Sequence, residues 1–308
     1  MPKRISKAGL AFRANERGIQ CRDGDEDELA LACYREAIRY RPDWAAPWYN
    51  IGLLHKYRCE WRESLEANLE AVRLDPSSQG AIWNAGIAAT ALGDWGRARK
   101  AWKQYGIAIG DGDGPVDYPI GATPVRVAVH GEPEVIWTRR IDPARAVIES
   151  VPLAASGRRH GDLLLHDGAP NGYRKIGSRE AAVFDELQVL EASGYSTFEA
   201  RVEGATSADL DALRAHCEAE RVAMENWSVT LHTLCKACSE GRPFADGGHS
   251  HDEAAHTGDS WRLGIAALEA GQANRALDAW LGSKPGARVS AFACVLDAAA
   301  AQQTGSAV

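Results

Sequence analysis

The first third of the chain repeats itself every 34 residues, and this period limits the possible folds more than any other feature of the sequence. Identical pairs at this offset include Asn50 and Asn84, Gly52 and Gly86, Trp61 and Trp95, and, one unit earlier, Gly18 and Gly52, Ala37 and Ala71, and Pro42 and Pro76. They divide this part of the chain into units at about 11–44, 45–78 and 79–112. Because such a unit cannot bury its apolar side chains alone, the repeat predicts units stacked around a shared core.

The middle unit, APWYNIGLLHKYRCEWRESLEANLEAVRLDPSS, resembles the tetratricopeptide repeat. The residues that fall at the spacing of that family are Trp48, Ile51, Gly52, Ser64, Ala71 and Pro76. Gly52 and Gly86 lack the Cβ that would hold two helices apart, and Pro76 ends a helix because it cannot continue the hydrogen-bond ladder. The resemblance implies an N-terminal α-solenoid of helical hairpins over residues 1–112.

The resemblance also implies a binding site for a polypeptide, because the first helices of such hairpins line the concave face of the stack. The residues that the register places on that face are Tyr49, Asn50, Leu53, Lys56 and Tyr57 in the second unit, and Trp83, Asn84, Ile87 and Thr90 in the third. We expect the amides of Asn50 and Asn84 to bond to a peptide backbone, and Tyr49 and Trp83 to offer flat apolar surfaces. Three other tryptophans are expected in the core: Trp61, Trp95 and Trp102.

A similar spacing returns near the C-terminus. Gly264, Gly271, Ala276 and Trp280 are separated in the same way as four residues of the third unit, namely Gly86, Gly93, Ala98 and Trp102. The segment DSWRLGIAALEAGQANRALDAWLG is therefore predicted to form one more helical hairpin, followed by an alanine-rich closing helix at about 287–302. Residues 258–308 make up this C-terminal part.

The middle of the chain, at 113–257, has a different pattern. After a linker rich in Gly, Pro and Asp come short β-prone runs separated by Gly or Pro: VRVAV, EVIWTRRI, AVIESVPL, DLLLHDG, AAVFDELQVL and STFEARVEG. TSADLDALRAHCEAERV then begins with residues that cap a helix, and its apolar positions recur at helical spacing. The run AMENWSVTLHTLC returns to alternation. We therefore predict a small, β-rich α+β domain.

This domain ends in CKACSEGRPFADGGHSHDEAAH, the segment with the most metal-ligating side chains. Thiolates two residues apart and nearby imidazoles suit tetrahedral zinc, and our preferred ligands are Cys235, Cys238, His249 and His251, with His256 as the alternate. Four protein ligands leave no open position, so the metal would be structural. The other interpretation is a reduced CxxC beside a polar, histidine-rich loop.

A zinc finger that reads nucleic acid is not expected from this segment. Such a finger needs large apolar residues where Arg242 and Gly248 stand, and Asp246 and Gly247 break a helix where one should begin. The net charge of -7 gives no overall attraction to a polyphosphate. We expect no nucleic acid as a partner.

Composition bounds the class of protein and its location. A hydrophobic content of 45% supplies enough apolar side chains for a core in each of two domains. No stretch is apolar over the length of a membrane span, and the opening residues MPKRISKAGLAFRANERG contain no apolar block of a secretion signal. The seven cysteines are an odd, scattered set, which argues against a disulfide framework. We expect a cytoplasmic protein with reduced thiols and no membrane partner.

Two pairs of charged residues in the middle domain are further candidate sites. His166 and Asp167 are neighbours on a predicted strand and point to opposite faces, so we expect Asp167 to form a turn rather than a catalytic pair. Arg139 and Arg140, beside Trp137, are interpreted as a solvated strand end.

These observations predict an adaptor that holds a protein or peptide partner in its helical groove. The members of the family that bind chaperones grip a terminal carboxylate with lysines, and this chain has Asn15, Ile19 and Gly80 at the corresponding places, so that role is not expected. The alternative is a hydrolase or transferase with its active site at 113–257 and the repeats recruiting substrate. A third hypothesis is a regulator whose thiol or metal state alters partner binding.

Overall fold

The computed structural model describes residues 6–128, 133–176, 179–229 and 260–298. The chain forms two compact units, Met1–Tyr118 and Pro119–Val308. Each unit is described by itself.

Six helices build the first unit. They are α1 (Lys7–Asp23), α2 (Asp27–Tyr40), α3 (Ala45–Tyr57), α4 (Trp61–Leu74), α5 (Gln79–Ala91) and α6 (Trp95–Tyr105). The second helix of each pair begins at Asp27, Trp61 or Trp95, so the start points follow the interval of 34 residues found in the sequence. The N-terminal third is therefore an array of three helical hairpins like those of tetratricopeptide repeats (TPR), as predicted.

Two repeated glycines set the approach of the paired helices. A Cβ added to Gly52 would lie 2.3 Å from the side chain of Asn68, and one added to Gly86 would lie 2.5 Å from the ring of Trp102. Real Cβ atoms do not approach this closely, so a larger residue at either position would force the helices apart. Ser64 donates a hydrogen bond of 2.8 Å to the carbonyl of Gly52, which ties the second helix to the first at this point.

The second unit begins with a closed barrel of five strands. These are β1 (Gly121–Val127), β2 (Glu134–Arg140), β3 (Arg145–Ile148), β4 (Leu163–Ile176) and β5 (Arg179–Glu191), with a short 3-10 helix at Ala154–Ser156. Neighbouring strands are antiparallel except where β1 closes on β5 in parallel. Apolar side chains of alternating positions fill the interior: Val125, Val127, Ile136, Ile148 and Leu164.

A four-stranded sheet with two helices completes this unit. In chain order the elements are β6 (Ser196–Glu203), α7 (Ser207–Ala219), β7 (Ala223–Asn226), β8 (Ser260–Ala267), α8 (Ala270–Gly282) and β9 (Arg288–Leu296). The strand order is β7-β8-β6-β9. This β-α-β-β-α-β arrangement packs apolar residues of both helices, among them Leu213 of α7 and Trp280 of α8, against the sheet.

The middle of the chain agrees with its predicted elements. The six β-prone runs overlap β1 to β6, and the predicted amphipathic helix is α7. Thr206 caps that helix, because its side chain accepts a hydrogen bond from the amide of Asp209 while the Asp209 side chain bonds back to the Thr206 backbone. The region after the repeats is β-rich, as expected.

The predicted C-terminal helical hairpin at 258–308 is wrong. Its first helix is instead strand β8, and the closing helix expected at about 287–302 is strand β9 over Arg288–Leu296. Gly264 lies close to a large ring, as Gly86 does, but within a sheet: a Cβ there would lie 2.2 Å from the indole of Trp227. Only the second helix of the prediction exists, as α8, with Ala276 and Trp280 buried.

None of the helices within the four described ranges is both long enough and apolar enough to cross a membrane.

Candidate functional site

The residues predicted to line the concave face of the array, called the inner face from here on, differ in their exposure. Three are partly exposed: Tyr49, Leu53 and Trp83. Tyr57 is 55% exposed, and five are buried, with relative exposures of 8% for Asn50, 4% for Asn84, 2% for Lys56, 2% for Thr90 and 0% for Ile87. The surface that this face presents is thus mainly apolar and aromatic.

The amide of Asn50 already has a partner. Its Nδ2 donates to Oδ1 of Asn15 at 3.0 Å, and both side chains are buried. This bond links α3 to α1, so the amide stabilises the stacking of two repeats. Lys56 is similarly engaged, because its Nζ lies 4.4 Å from the ring centroid of Tyr57.

Trp83 is held by the second helix of its own hairpin. Its ring centroid lies 5.0 Å from that of Trp102 and 4.6 Å from that of Tyr105, both at edge-to-face angles. Such pairs add about 0.5 to 1.5 kcal/mol beyond area burial. The indole of Trp83 is therefore fixed in place rather than free to adapt.

A cleft of about 350 Å³ lies beside Tyr49, between the start of α3 and the turn that joins α4 to α5. Trp44 and Tyr49 supply its aromatic surface, and Leu74 adds an aliphatic side chain. Gly80 packs closely against Tyr49, since a Cβ there would lie 3.0 Å from the Tyr49 ring. Phe12 of α1 stacks on Trp44 with ring centroids 6.5 Å apart.

Two carboxylates, Asp43 and Asp75, lie at this cleft, together with the guanidinium of Arg41, which is 5.7 Å from the ring centroid of Trp44. Asp43 pairs with Arg41 at 3.6 Å, and the pair is exposed. Hydrogen bonds from the Ser77 hydroxyl and backbone amide lower the pKa of Asp75, so this group is ionised at neutral pH. An aromatic surface flanked by carboxylates suits a basic or apolar side chain of a polypeptide.

Sequence reasoning found Tyr49 but missed Trp44 and Phe12. Both lie outside the register positions that the repeat assigns to the groove: Trp44 precedes the first residue of α3, and Phe12 has Ala46 as its counterpart one unit later. The available signal was the density of aromatic residues around the start of α3.

The predicted metal ligands Cys235, Cys238, His249 and His251, with the alternate His256, lie outside the described residues. Within the described ranges, no group of three or more His, Cys, Asp or Glu side chains is placed to hold a metal ion. The five cysteines in those ranges are free thiols: Cys21, Cys33, Cys59, Cys217 and Cys294.

The barrel contains a buried histidine and a buried arginine. Burial, and then the charge of Arg140, lowers the pKa of His166 to about 3, so the imidazole stays neutral at physiological pH. The interpretation of Arg140 as a solvated residue is wrong, since it is 9% exposed and donates to the carbonyl of Pro143 at 2.7 Å. A histidine in this state is a poor general base at neutral pH.

Comparison with known proteins gives structural neighbours that cover about a third of this chain. No family model and no curated protein matches the sequence. The second TPR of Spaghetti (RPAP3), solved with an HSP90 peptide SRMEEVD, is 23% identical over 31% of this chain and 84% of its own, with a TM-score of 0.30. The Arabidopsis OM64 TPR domain is 18% identical over 32% of this chain and 83% of its own, with a TM-score of 0.31.

The first TPR of Spaghetti, also bound to that HSP90 peptide, is 19% identical and has a TM-score of 0.31, over 33% of this chain and 80% of its own. At these scores, the assignment of the repeats rests on the helix positions and the 34-residue interval.

Proposed function

We propose that this chain is an adaptor that binds a polypeptide partner on the inner face of its helical array. The observation that carries the proposal is the cleft beside Tyr49, where Trp44 and Tyr49 offer aromatic surface next to two carboxylates. Aromatic side chains bury a large area with little loss of conformational freedom, which is why they dominate the energy of many interfaces.

The predicted groove residues enter this proposal with different roles. Tyr49, Leu53 and Trp83 contact the partner, because they are partly exposed. Asn84 is proposed to bond to the partner's backbone, but it is only 4% exposed, so its amide becomes accessible only if the array opens. Asn50, Lys56 and Ile87 are buried and take part only if the array opens on binding.

The chemistry of the cleft indicates which peptides bind. Asp75 would repel an acidic segment such as the HSP90 peptide SRMEEVD, which two of the structural neighbours bind, whereas the charge of Asp43 is offset by Arg41. We therefore propose a partner segment that carries a basic or aromatic residue. The cytoplasm is its proposed location, because thiols stay reduced there.

The test is co-purification of partners with the full chain and with the double variant Trp44→Ala, Tyr49→Ala. Loss of two aromatic anchors costs on the order of 2 kcal/mol or more in binding, so we expect captured partners to be lost. Leu29→Ala is the control, because Leu29 is 55% exposed on α2, away from this cleft. Partners that remain bound to a folded double variant would show that this face is not the binding site.

We also propose that Cys235, Cys238, His249 and His251, with His256 as alternate, hold a structural zinc ion. The support is the donor set, since two thiolates and two imidazoles complete a tetrahedral site. Purified chain should then contain about one zinc per molecule, and Cys235→Ser should lose the metal and lower the melting temperature. A melting temperature unchanged by chelation would contradict this site.

A further inference from the structure

A second cleft opens on the other side of the α3 helix, between α2 and α4. It has a volume of about 490 Å³. Its apolar lining comes from three helices: Ile38 on α2, Trp48 and Ile51 on α3, and Ala67 on α4. Ile51 and Ala67 belong to the core of the array, whereas Ile38 and Trp48 are only partly buried. The cleft therefore extends inward to residues of the core and stays open to solvent at its outer side.

Three carboxylates form one wall of this cleft: Glu63, Glu66 and Glu70. Spacings of three and four residues place them on one face of α4, over a length of roughly 10 Å. Glu70 is paired with Arg73 at 2.7 Å. Glu63 and Glu66 are exposed, and no cation of the described ranges pairs with either of them.

The remaining charged groups of the lining offset the charge of this wall only in part. His55 is bonded to Glu60 through Nδ1 at 2.5 Å, so it is already engaged. Arg35, on α2, is the guanidinium of the lining. Glu63 and Glu66, which have no ion-pair partner in the described ranges, thus lie beside the apolar side chains of the cleft.

We propose that this α2–α4 cleft is a second binding surface, which takes a basic polypeptide segment with an apolar side chain between its cationic residues. The apolar side chain enters beside Ile38 and Trp48, and the cations pair with Glu63 and Glu66. The charge of the wall favours such a segment over a neutral or acidic one. No residue that lines this cleft also lines the cleft beside Tyr49, so the second surface does not require the inner-face site proposed above.

Binding is measured with the full chain and a short fluorescent peptide in which lysines flank leucines, beside a peptide with glutamate in place of each lysine. We expect the lysine peptide to bind and the glutamate peptide to fail. The double variant Glu63→Gln, Glu66→Gln should weaken binding about 10-fold, as expected for the loss of two exposed ion pairs. Arg35→Gln should strengthen it, because one repelling charge is removed.

The matched control is Glu16→Gln with Glu218→Gln, which changes the net charge equally at exposed positions of α1 and α7. It should bind the lysine peptide as the unaltered chain does. Equal binding of both peptides, no binding of either, or the same affinity for the Glu63 and Glu66 double variant would overturn the proposal. Loss of binding in the Trp44 and Tyr49 variant alone would overturn it too, since the peptide would then occupy the inner face.

Discussion

At the scale of single residues, a missing Cβ decides how closely the helices of each hairpin approach. Even in the least regular repeat, a Cβ on Gly18 would lie 2.5 Å from the ring of Tyr34. Tyr34 occupies the position that Asn68 and Trp102 hold in the later repeats. The glycine is thus constant while the residue that fills its space changes in size and polarity.

Gly86→Ala should therefore destabilise the array. The new methyl group would meet the Trp102 ring at 2.5 Å, and this ring is fully buried, so it has nowhere to move. Overpacking of this kind costs about 1 to 3 kcal/mol, which exceeds the gain in helix propensity. The measurement is the free energy of unfolding from urea titration.

Gly96→Ala provides the comparison within the same array. Gly96 is exposed on α6, and a Cβ there would meet only the Asp94 carboxylate, at 3.8 Å. We expect no loss of stability and a gain of up to about 1 kcal/mol, because alanine favours a helix over glycine. Equal effects of the two substitutions would show that the Gly86 contact does not limit helix approach.

Glu134 should make the second unit sensitive to pH. Burial, with a smaller contribution from the charge of Glu225, raises the pKa of Glu134 from 4.5 to about 7 even though the Leu153 amide donates to its carboxyl. Because the folded state holds the proton more tightly, this group stabilises the fold at low pH. That contribution is lost as pH rises from about 4.5 to about 7 and amounts to about 3 kcal/mol at most.

The measurement is the free energy of unfolding of the unaltered chain and of Glu134→Gln between pH 4.5 and 8. The variant carries no ionisable group here, so its stability relative to the unaltered chain should increase across this range. Glu191→Gln, at an exposed position of β5, is the matched control for the loss of one carboxylate. A constant difference between Glu134→Gln and the unaltered chain would contradict the raised pKa.

At the scale of elements, the local sequence pattern was sufficient to predict a helix where a repeat or a capping residue supported it. The 34-residue interval predicted three hairpins, and the cap at Thr206 predicted the start of α7. Short β-prone runs bounded by Gly or Pro predicted the strands of the barrel. Their pairing was not predictable, because closure of β1 on β5 joins residues far apart in the sequence.

The C-terminal error has a physical cause at the same scale. A short apolar run such as that in β8 is compatible with either a buried strand or a buried helix, and periodicity alone does not separate them. The spacing of Gly264 and Trp280 resembled a hairpin because both positions need close packing. A glycine that makes room for the Trp227 indole in a sheet has the same sequence signature as one between helices.

The sequence could not show which of the predicted inner-face residues are exposed to a partner. The register identified Tyr49 and Trp83 as aromatic residues of the inner face, and both are partly exposed. The register also placed Ile87 and Asn50 on this face as partner-binding residues. Ile87 is fully buried, and the amide of Asn50 bonds to Asn15. Exposure depends on neighbours from other elements, which a repeat register does not contain.

At the scale of the whole molecule, the division into Met1–Tyr118 and Pro119–Val308 predicts that the array folds alone. In a solenoid each repeat contacts its neighbours, so stability is close to a sum of repeats and the interfaces between them. A chain of residues 1–118 should give a helical far-ultraviolet spectrum and a single cooperative transition in urea. A chain of residues 1–74, which lacks the third hairpin and its interface with α4, should be less stable and have a smaller m-value. If residues 1–118 instead gave the spectrum of an unfolded chain, the array would depend on the rest of the molecule, and its surfaces would have to be studied in the full chain alone.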